Sequence, residues 1–197
     1  MENIKESIEN IIKENLKGFD LSQSFGQRSV GDKIEDDCAM VAKEFFPANY
    51  ASPRSKKSTE DFALSFGDKT FYFDVKTHFI QETAGFSMPN LASIDKLRKL
   101  LEDDKKSLLY IFVDYKRTDE AVTIESVVVK YVWELDWSIL GIGALGKGQL
   151  QIKNANNKMA FTEIGKKEWL KKLKEKGLEY NRKQLIKIEK EIQKNWA

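Results

Sequence analysis

The residues with the most chemical promise lie in the stretch STEDFALSFGDKTFYFDVKTH, residues 58–78. It holds two acids, Asp61 and Asp74, a lysine, Lys76, and the chain's single histidine, His78. The pattern predicts two strands, Phe62–Phe66 and Thr70–Lys76, joined by a turn at Gly67-Asp68. Side chains alternate along a strand, so Phe62, Leu64 and Phe66 share one face while Asp61, Ala63 and Ser65 share the other. In the second strand Phe71, Phe73 and Val75 share a face, opposite Tyr72, Asp74, Lys76 and His78. A turn centred on Gly67-Asp68 pairs Phe66 with Lys69, and the same register sets Asp61 directly opposite Asp74 with both apolar triplets on the core side. Two carboxylates across a hairpin repel each other unless something positive lies between them. Mg²⁺ suits that place, because it takes one or two carboxylates and keeps waters for a substrate to displace; Mn²⁺ is the expected substitute. The backbone carbonyl of Val75 is in position to complete the metal shell. The Lys76 ammonium, on the face of Asp74, stabilises an attacking hydroxide or a phosphate gaining charge. Acid, acid and amine together make a phosphodiester-hydrolysing cluster. The bland reading of the same residues is an exposed charged hairpin.

Other segments fit a polyanionic partner. Arg54, Lys56 and Lys57 lie in a polar, basic loop and are candidates for phosphate contacts. The glycine-spaced run Gly141–Gly148 lacks the lysine-Ser/Thr pair of a nucleotide-binding loop, and Ala144–Gln151 is read instead as backbone and Gln/Lys side chains approaching a groove. There Gln149 and Gln151 suit adenine, and Lys147 suits guanine or phosphate; a flexible hairpin rim explains the segment equally well. Residues 81–88, beginning at Gln81, are a second candidate groove-facing loop. His78 reads as a phosphate contact or a hydrogen-bonded spectator. Trp133, Trp137, Trp169 and Trp196 read as core or subunit anchors rather than base-stacking platforms, and Cys38 as a small core residue.

These residues need a scaffold. At 197 residues with 41% hydrophobic content, the chain is long enough for one domain, 1–197, with a real core. One cysteine excludes an intramolecular disulfide framework. No run approaches the length of a membrane span, and the charged start does not resemble a secretory leader, so a soluble, cytoplasmic protein is expected. Helices are predicted over 2–17 and 31–46, then after the hairpin over 91–102. Strands are predicted at Leu108–Asp114, Val122–Leu135 and Gln149–Lys153. Two helices, 163–176 and 179–195, close the chain. The class is α/β, a central mixed sheet flanked by helices, with long C-terminal helices. The net charge of +2 hides an asymmetry: residues 147–197 carry 14 Lys/Arg against 6 Asp/Glu, and the rest carries 19 against 25. A basic end favours nucleic acid, although a solvated lysine-rich helix accounts for it too.

Five segments in order resemble the PD-(D/E)XK nuclease superfamily, and within it the HincII-like type II restriction endonucleases of the EcoRV-like branch. Ser29 to Glu35 resembles the Gly-acid-x-(Phe/Ile)-Glu start of that family's N-terminal helix. Asp61, twelve residues, then Asp74-Val75-Lys76-Thr77 resembles its core hairpin, with Glu60 in the place of the motif's proline. Pro89-Asn90-Leu91-Ala92-Ser93, Gln149-Leu150-Gln151-Ile152 and Ile164 to Trp169 resemble its later segments. The resemblance implies a restriction-endonuclease-like fold and a Mg²⁺-dependent homodimer that cuts double-stranded DNA at a short palindrome and leaves a 5′-phosphate. It implies Asp61 and Asp74 as metal ligands, Lys76 at the water and Glu35 in support. The candidate DNA-facing set, read from residue types, is Arg54, Lys56, Lys57, Thr77, Gln81, Asn90, Lys147, Gln149 and Gln151. A repair or junction nuclease of the same superfamily, and a DNA-binding module on a degenerate nuclease fold, are the alternatives.

Overall fold

A computed structural model describes residues 3–21, 27–53, 55, 58–80, 90–143, 148–153 and 159–196. Its centre is the predicted hairpin. Strand β3 (Phe62–Phe66) pairs antiparallel with β4 (Lys69–Phe79) in the expected register, from Phe66 opposite Lys69 to Phe62 opposite Phe73. Gly67 makes the tight turn, with φ of 61°, a conformation that glycine adopts without a side-chain clash. Strand β4 then pairs parallel with β6 (Lys106–Arg117), and β6 pairs antiparallel with β7 (Ala121–Tyr131). Two short strands, β1 (Phe19–Asp20) and β2 (Tyr50–Ala51), complete a six-stranded sheet in the order β1-β7-β6-β4-β3-β2. A second, antiparallel sheet has the order β5-β9-β8, from Asn90–Ser93, Gln149–Ile152 and Leu140–Gly143.

Each face of the large sheet carries its own core. Helices α1 (Ile4–Asn15) and α2 (Gln27–Phe45) cover one face, burying Ile8 and Ile12, and Val30, Ile34, Cys38 and Ala42 at four-residue intervals. They meet Phe73 and Val75 of β4 and Ile111 and Val113 of β6. Cys38 is fully buried and its thiol is pushed up to about 12 by burial, which suits an inert core residue. The other face packs Leu108, Tyr110 and Phe112 of β6 beneath α3 (Ile94–Leu101), the small sheet and the start of α4 (Lys166–Trp196). Trp169 is fully buried there and donates its indole N–H to the Leu135 carbonyl at 3.0 Å, while Trp137 lies against its ring at 5.1 Å. Trp133 stacks on Tyr131 at 4.4 Å. These three rings are structural, as read from the sequence.

Several boundaries differ from the predicted ones, each for a tertiary reason. Helix α2 begins before Gly31, because Val30 extends its buried stripe. Residues 91–93 form a strand rather than the first turn of a helix, since Asn90 and Ser93 pair with Gln151 and Gln149. Ser93 then caps α3 by accepting the Lys96 N–H. The predicted strand to Leu135 stops at Tyr131, where Glu134 turns back to accept the Tyr131 N–H at 2.8 Å and opens a 3₁₀ turn, Val132–Glu134. The two predicted C-terminal helices are one. Gly177 does not break α4, which runs through it beside Ile94 of α3, where a Cβ would make only an ordinary contact at 3.5 Å. The largest correction concerns the polar face of the hairpin, expected at the surface. The second core covers it as far as Asp74, which is only 6% exposed.

Candidate active site

The site forms where a ladder ends. Strand β3 accompanies β4 only as far as Phe73, whereas β6 accompanies β4 through Phe79. From Asp74 onward one edge of β4 is therefore open. Asp61, just before β3, does not pair with Asp74 as the simple register requires. Its N–H donates to the Phe73 carbonyl at 2.8 Å, and its Oδ2 accepts the first N–H beyond the ladder, that of Val75, at 2.7 Å. A side chain thus caps the backbone group that the missing strand leaves unpaired. The N–H and carbonyl of one strand residue leave on the same side, so the Val75 carbonyl faces the gap that holds Asp61.

Asp74 and Asp61 come within hydrogen-bond reach of each other, and Lys76 closes on the pair, its Nζ 2.5 Å from Asp74 Oδ1. Glu35 arrives from α2. One turn earlier, Gly31 lets that helix settle onto β4, since a Cβ at Gly31 would stand only 3.0 Å from the Thr77 hydroxyl. Burial is the main reason that all three acids hold protons more tightly than usual. The Asp74 carboxyl is pushed up to about 7, with Asp61 and Glu35 adding to the effect and Lys76 opposing it. Glu35 is also pushed up to about 7, by burial and then by Asp61. Asp61 is raised by burial and held back by the Val75 N–H and Lys76. Three carboxylates against one ammonium leave a site short of positive charge.

That shortage tests the fit of a cation. Among the described residues no three acids, histidines or cysteines converge as a complete metal cage, so Glu35 stands beside the pair rather than joining it as a third ligand. Two neighbouring carboxylates and a nearby backbone carbonyl nevertheless suit Mg²⁺, an oxygen-seeking ion that keeps most of its waters. They do not make a structural zinc site, which is closed by four Cys or His ligands.

No family model and no curated protein sequence matches the chain. Among solved structures it is similar to NlaIV restriction endonuclease, with a TM-score of 0.55 and 14% identity over 81% of this chain and 74% of that one. The chain has a restriction-endonuclease-like fold. At that identity the likeness concerns the fold and not a branch within it.

The rest of this fold distributes the other candidate residues unevenly. His78, two residues past Lys76, hydrogen-bonds Asp114 Oδ1 through Nδ1 at 3.0 Å, and Ser126 donates to Asp114 Oδ2 at 2.6 Å. These side chains and Lys76 line a cavity of about 500 Å³ walled by Phe112 and Phe161. Asp114 and Ser126 were not expected here. They meet His78 only through the β4–β6–β7 register, and no local spacing in the sequence signals it. Tyr110 was also missed: it pairs with Asp74 across β6, and burial and the Asp74 charge raise its phenol well above the ordinary value.

Asn90, Gln149 and Gln151 gather on the small sheet. There Gln151 donates to the Asn90 carboxamide oxygen at 2.6 Å and Gln149 to the Leu91 backbone carbonyl at 2.7 Å. Thr77 approaches α2 at Gly31. Arg54, Lys56, Lys57, Gln81 and Lys147, with the loop expected at 81–88 and residues 144–147 of the expected groove-facing segment 144–151, lie outside the described residues, as does the side chain of Trp196. Lys166, in the last of the motif-like segments, donates to the carbonyls of Asp103 and Lys106 and so anchors α4. No helix among the described residues is long and apolar enough to cross a membrane.

Proposed function

We propose that this protein is a Mg²⁺-dependent type II restriction endonuclease of the PD-(D/E)XK superfamily, acting as a homodimer on double-stranded DNA at a short palindromic sequence. The observation that carries the proposal is the convergence of Asp61, Asp74 and Lys76 at the open edge of β4. The endonuclease-like fold supports it.

In this reading Asp61, Asp74 and the Val75 carbonyl hold the cation, with Mn²⁺ able to replace it. A divalent ion bound there neutralises phosphate charge and eases deprotonation of a bound water. Lys76 directs its ammonium at the nucleophile and at the non-bridging phosphate oxygens, where negative charge grows in the transition state. Asp74, buried and hydrogen-bonded to Lys76, holds that amine on line. Glu35 tunes the charge of the group from α2. Attack on phosphorus forms one P–O bond and breaks the P–O3′ bond, so the products are a 3′-hydroxyl and a 5′-phosphate. No histidine base is required, and His78 with Asp114 is assigned to contact the neighbouring backbone.

Purified protein with Mg²⁺ is expected to cut a plasmid of known sequence into discrete fragments with 5′-phosphate ends. The Asp74→Ala and Lys76→Ala variants should bind the duplex while losing nearly all cutting of it. Preferential cutting of a four-way junction over linear duplex would move the protein to the repair nucleases. Tight binding with no cutting under Mg²⁺ or Mn²⁺ would make it a DNA-binding module instead.

A further inference from the structure

Helix α4 changes character along its length. Its first part is built into the second core through Trp169 and Leu173, and Gly177 lies against Ile94 of α3. Beyond Gly177 the helix runs on with Leu178, Leu185, Ile186, Ile188 and Ile192 each 50–60% exposed. With 3.6 residues per turn these five side chains fall within one arc of about 160°. Lys176, Lys183, Lys187, Lys190 and Lys194 fall within about 60° on the opposite side. The lysine side is partly paired along the helix, Lys183 with Glu179 and Lys187 with Glu191, as a solvated face usually is. The apolar side is a contiguous surface of the kind that marks a contact.

The charges inside the stripe say what covers it. Between Leu178 and Ile192 the apolar arc contains two charged residues, Arg182 and Glu189, opposite in sign and two turns apart. Among the described residues neither forms an ion pair within the chain. An antiparallel second helix of the same sequence, related by a two-fold axis passing between Leu185 and Ile186, brings Arg182 opposite Glu189 of the partner subunit. The same axis brings Glu189 opposite Arg182 of the partner subunit. A parallel, in-register pairing would set like charge on like. The stripe is therefore complementary to itself in one orientation, the condition that a two-fold interface imposes. We infer that residues 178–192 of α4 pair antiparallel with the same segment of a second copy of this chain. The inference rests on the two-copy part of the proposed function and deepens it by naming the surface, and it does not depend on cleavage. Pairing turns both lysine faces outward, which sets a basic flank on each side of the joined helices.

Sedimentation of the full chain without DNA or metal is expected to give twice the 22.7 kDa chain mass. Leu185→Glu with Ile188→Glu should give a monomer with unchanged far-ultraviolet circular dichroism. Arg182→Glu should weaken the dimer about tenfold or more by placing like charges together. Adding Glu189→Arg to that variant should restore the dimer, which a merely structural role for either residue would not do. A wild type that stays monomeric at tens of micromolar, or a dimer indifferent to the Leu185 and Ile188 changes, overturns the inference. So does binding of the segment to anionic vesicles in place of self-association. Failure to rescue overturns the antiparallel register. The Asp74→Ala variant should remain dimeric, so a dimer that never cuts DNA counts against the nuclease reading alone, and a monomer that cuts overturns this pairing and the two-copy part of the proposed function while leaving the nuclease reading standing.

Discussion

The two halves of β4 obey the same alternation and end in opposite roles. Residues 69–73 have β3 on one side and β6 on the other, and there the strand builds core, with Phe73 stacked on Phe62 at 4.9 Å. Residues 74–79 keep β6 and lose β3. The lost neighbour leaves an unpaired edge and a gap, and acids from β4, from the chain before β3 and from α2 gather in it. The candidate site comes from an interrupted ladder: the interruption leaves a backbone N–H that the Asp61 carboxylate caps, and the proposed chemistry uses the space beside it. The open half carries charge that it cannot neutralise alone, and the laddered half makes the platform rigid enough to tolerate that crowding.

The sharpest way to break this contrast is to strip the open half of its charge. Lys76→Ala and Asp74→Ala should each lower cleavage by about a hundredfold to a thousandfold, read as initial rate on plasmid, while duplex affinity stays near that of the parent. Cutting by Lys76→Ala at the parent rate would remove the amine from the mechanism. In the laddered half, Phe73→Ala should cost about 3–5 kcal/mol of stability, measured by denaturant unfolding, and lower activity only in proportion to the folded fraction.

A smaller effect comes from linkage. The Asp74 and Glu35 carboxyls are both raised to about 7 in the folded chain, so protons favour the fold. Their contribution is fully present below the ordinary carboxylate range and is lost as pH rises toward about 7. Without metal, the melting temperature should therefore fall between pH 5 and pH 8, by a few degrees for each kcal/mol lost. Mg²⁺ should restore more of it at pH 8 than at pH 6, because the ion competes with protons for the same oxygens. An Asp74→Asn variant should flatten both dependences. Least of all, Ser126→Ala removes one hydrogen bond to Asp114 and should cost about 1 kcal/mol. Its effect on cutting should match that of Asp114→Asn in direction if the His78 network serves the open half.

Much of the hairpin was legible because its information is local. Period-two alternation, a Gly-Asp turn and matched apolar faces set the pairing, and the pairs from Phe62–Phe73 to Phe66–Lys69 follow it. The direct Asp61–Asp74 pair was not obtained, because the ladder ends one residue short and Asp61 uses its side chain on Val75. The burial of Asp74 could not be read locally either. It depends on Tyr110 and on what covers the second face, and those come from strands and helices far along the chain. The amides of Asn90, Gln149 and Gln151 illustrate the same limit: their types suit base reading, and only the β5–β9 pairing reveals that they bond to each other and to backbone.

What the sequence by itself determined is the set of groups and their order along each strand. Hydrophobic period and turn chemistry act over a few residues, and so two acids and an amine had to project from one short ribbon. Tertiary structure alone decided how far those groups lie from water and where β3 stops while β4 continues. Those outcomes depend on contacts between segments distant in sequence, whose free energies no local pattern encodes.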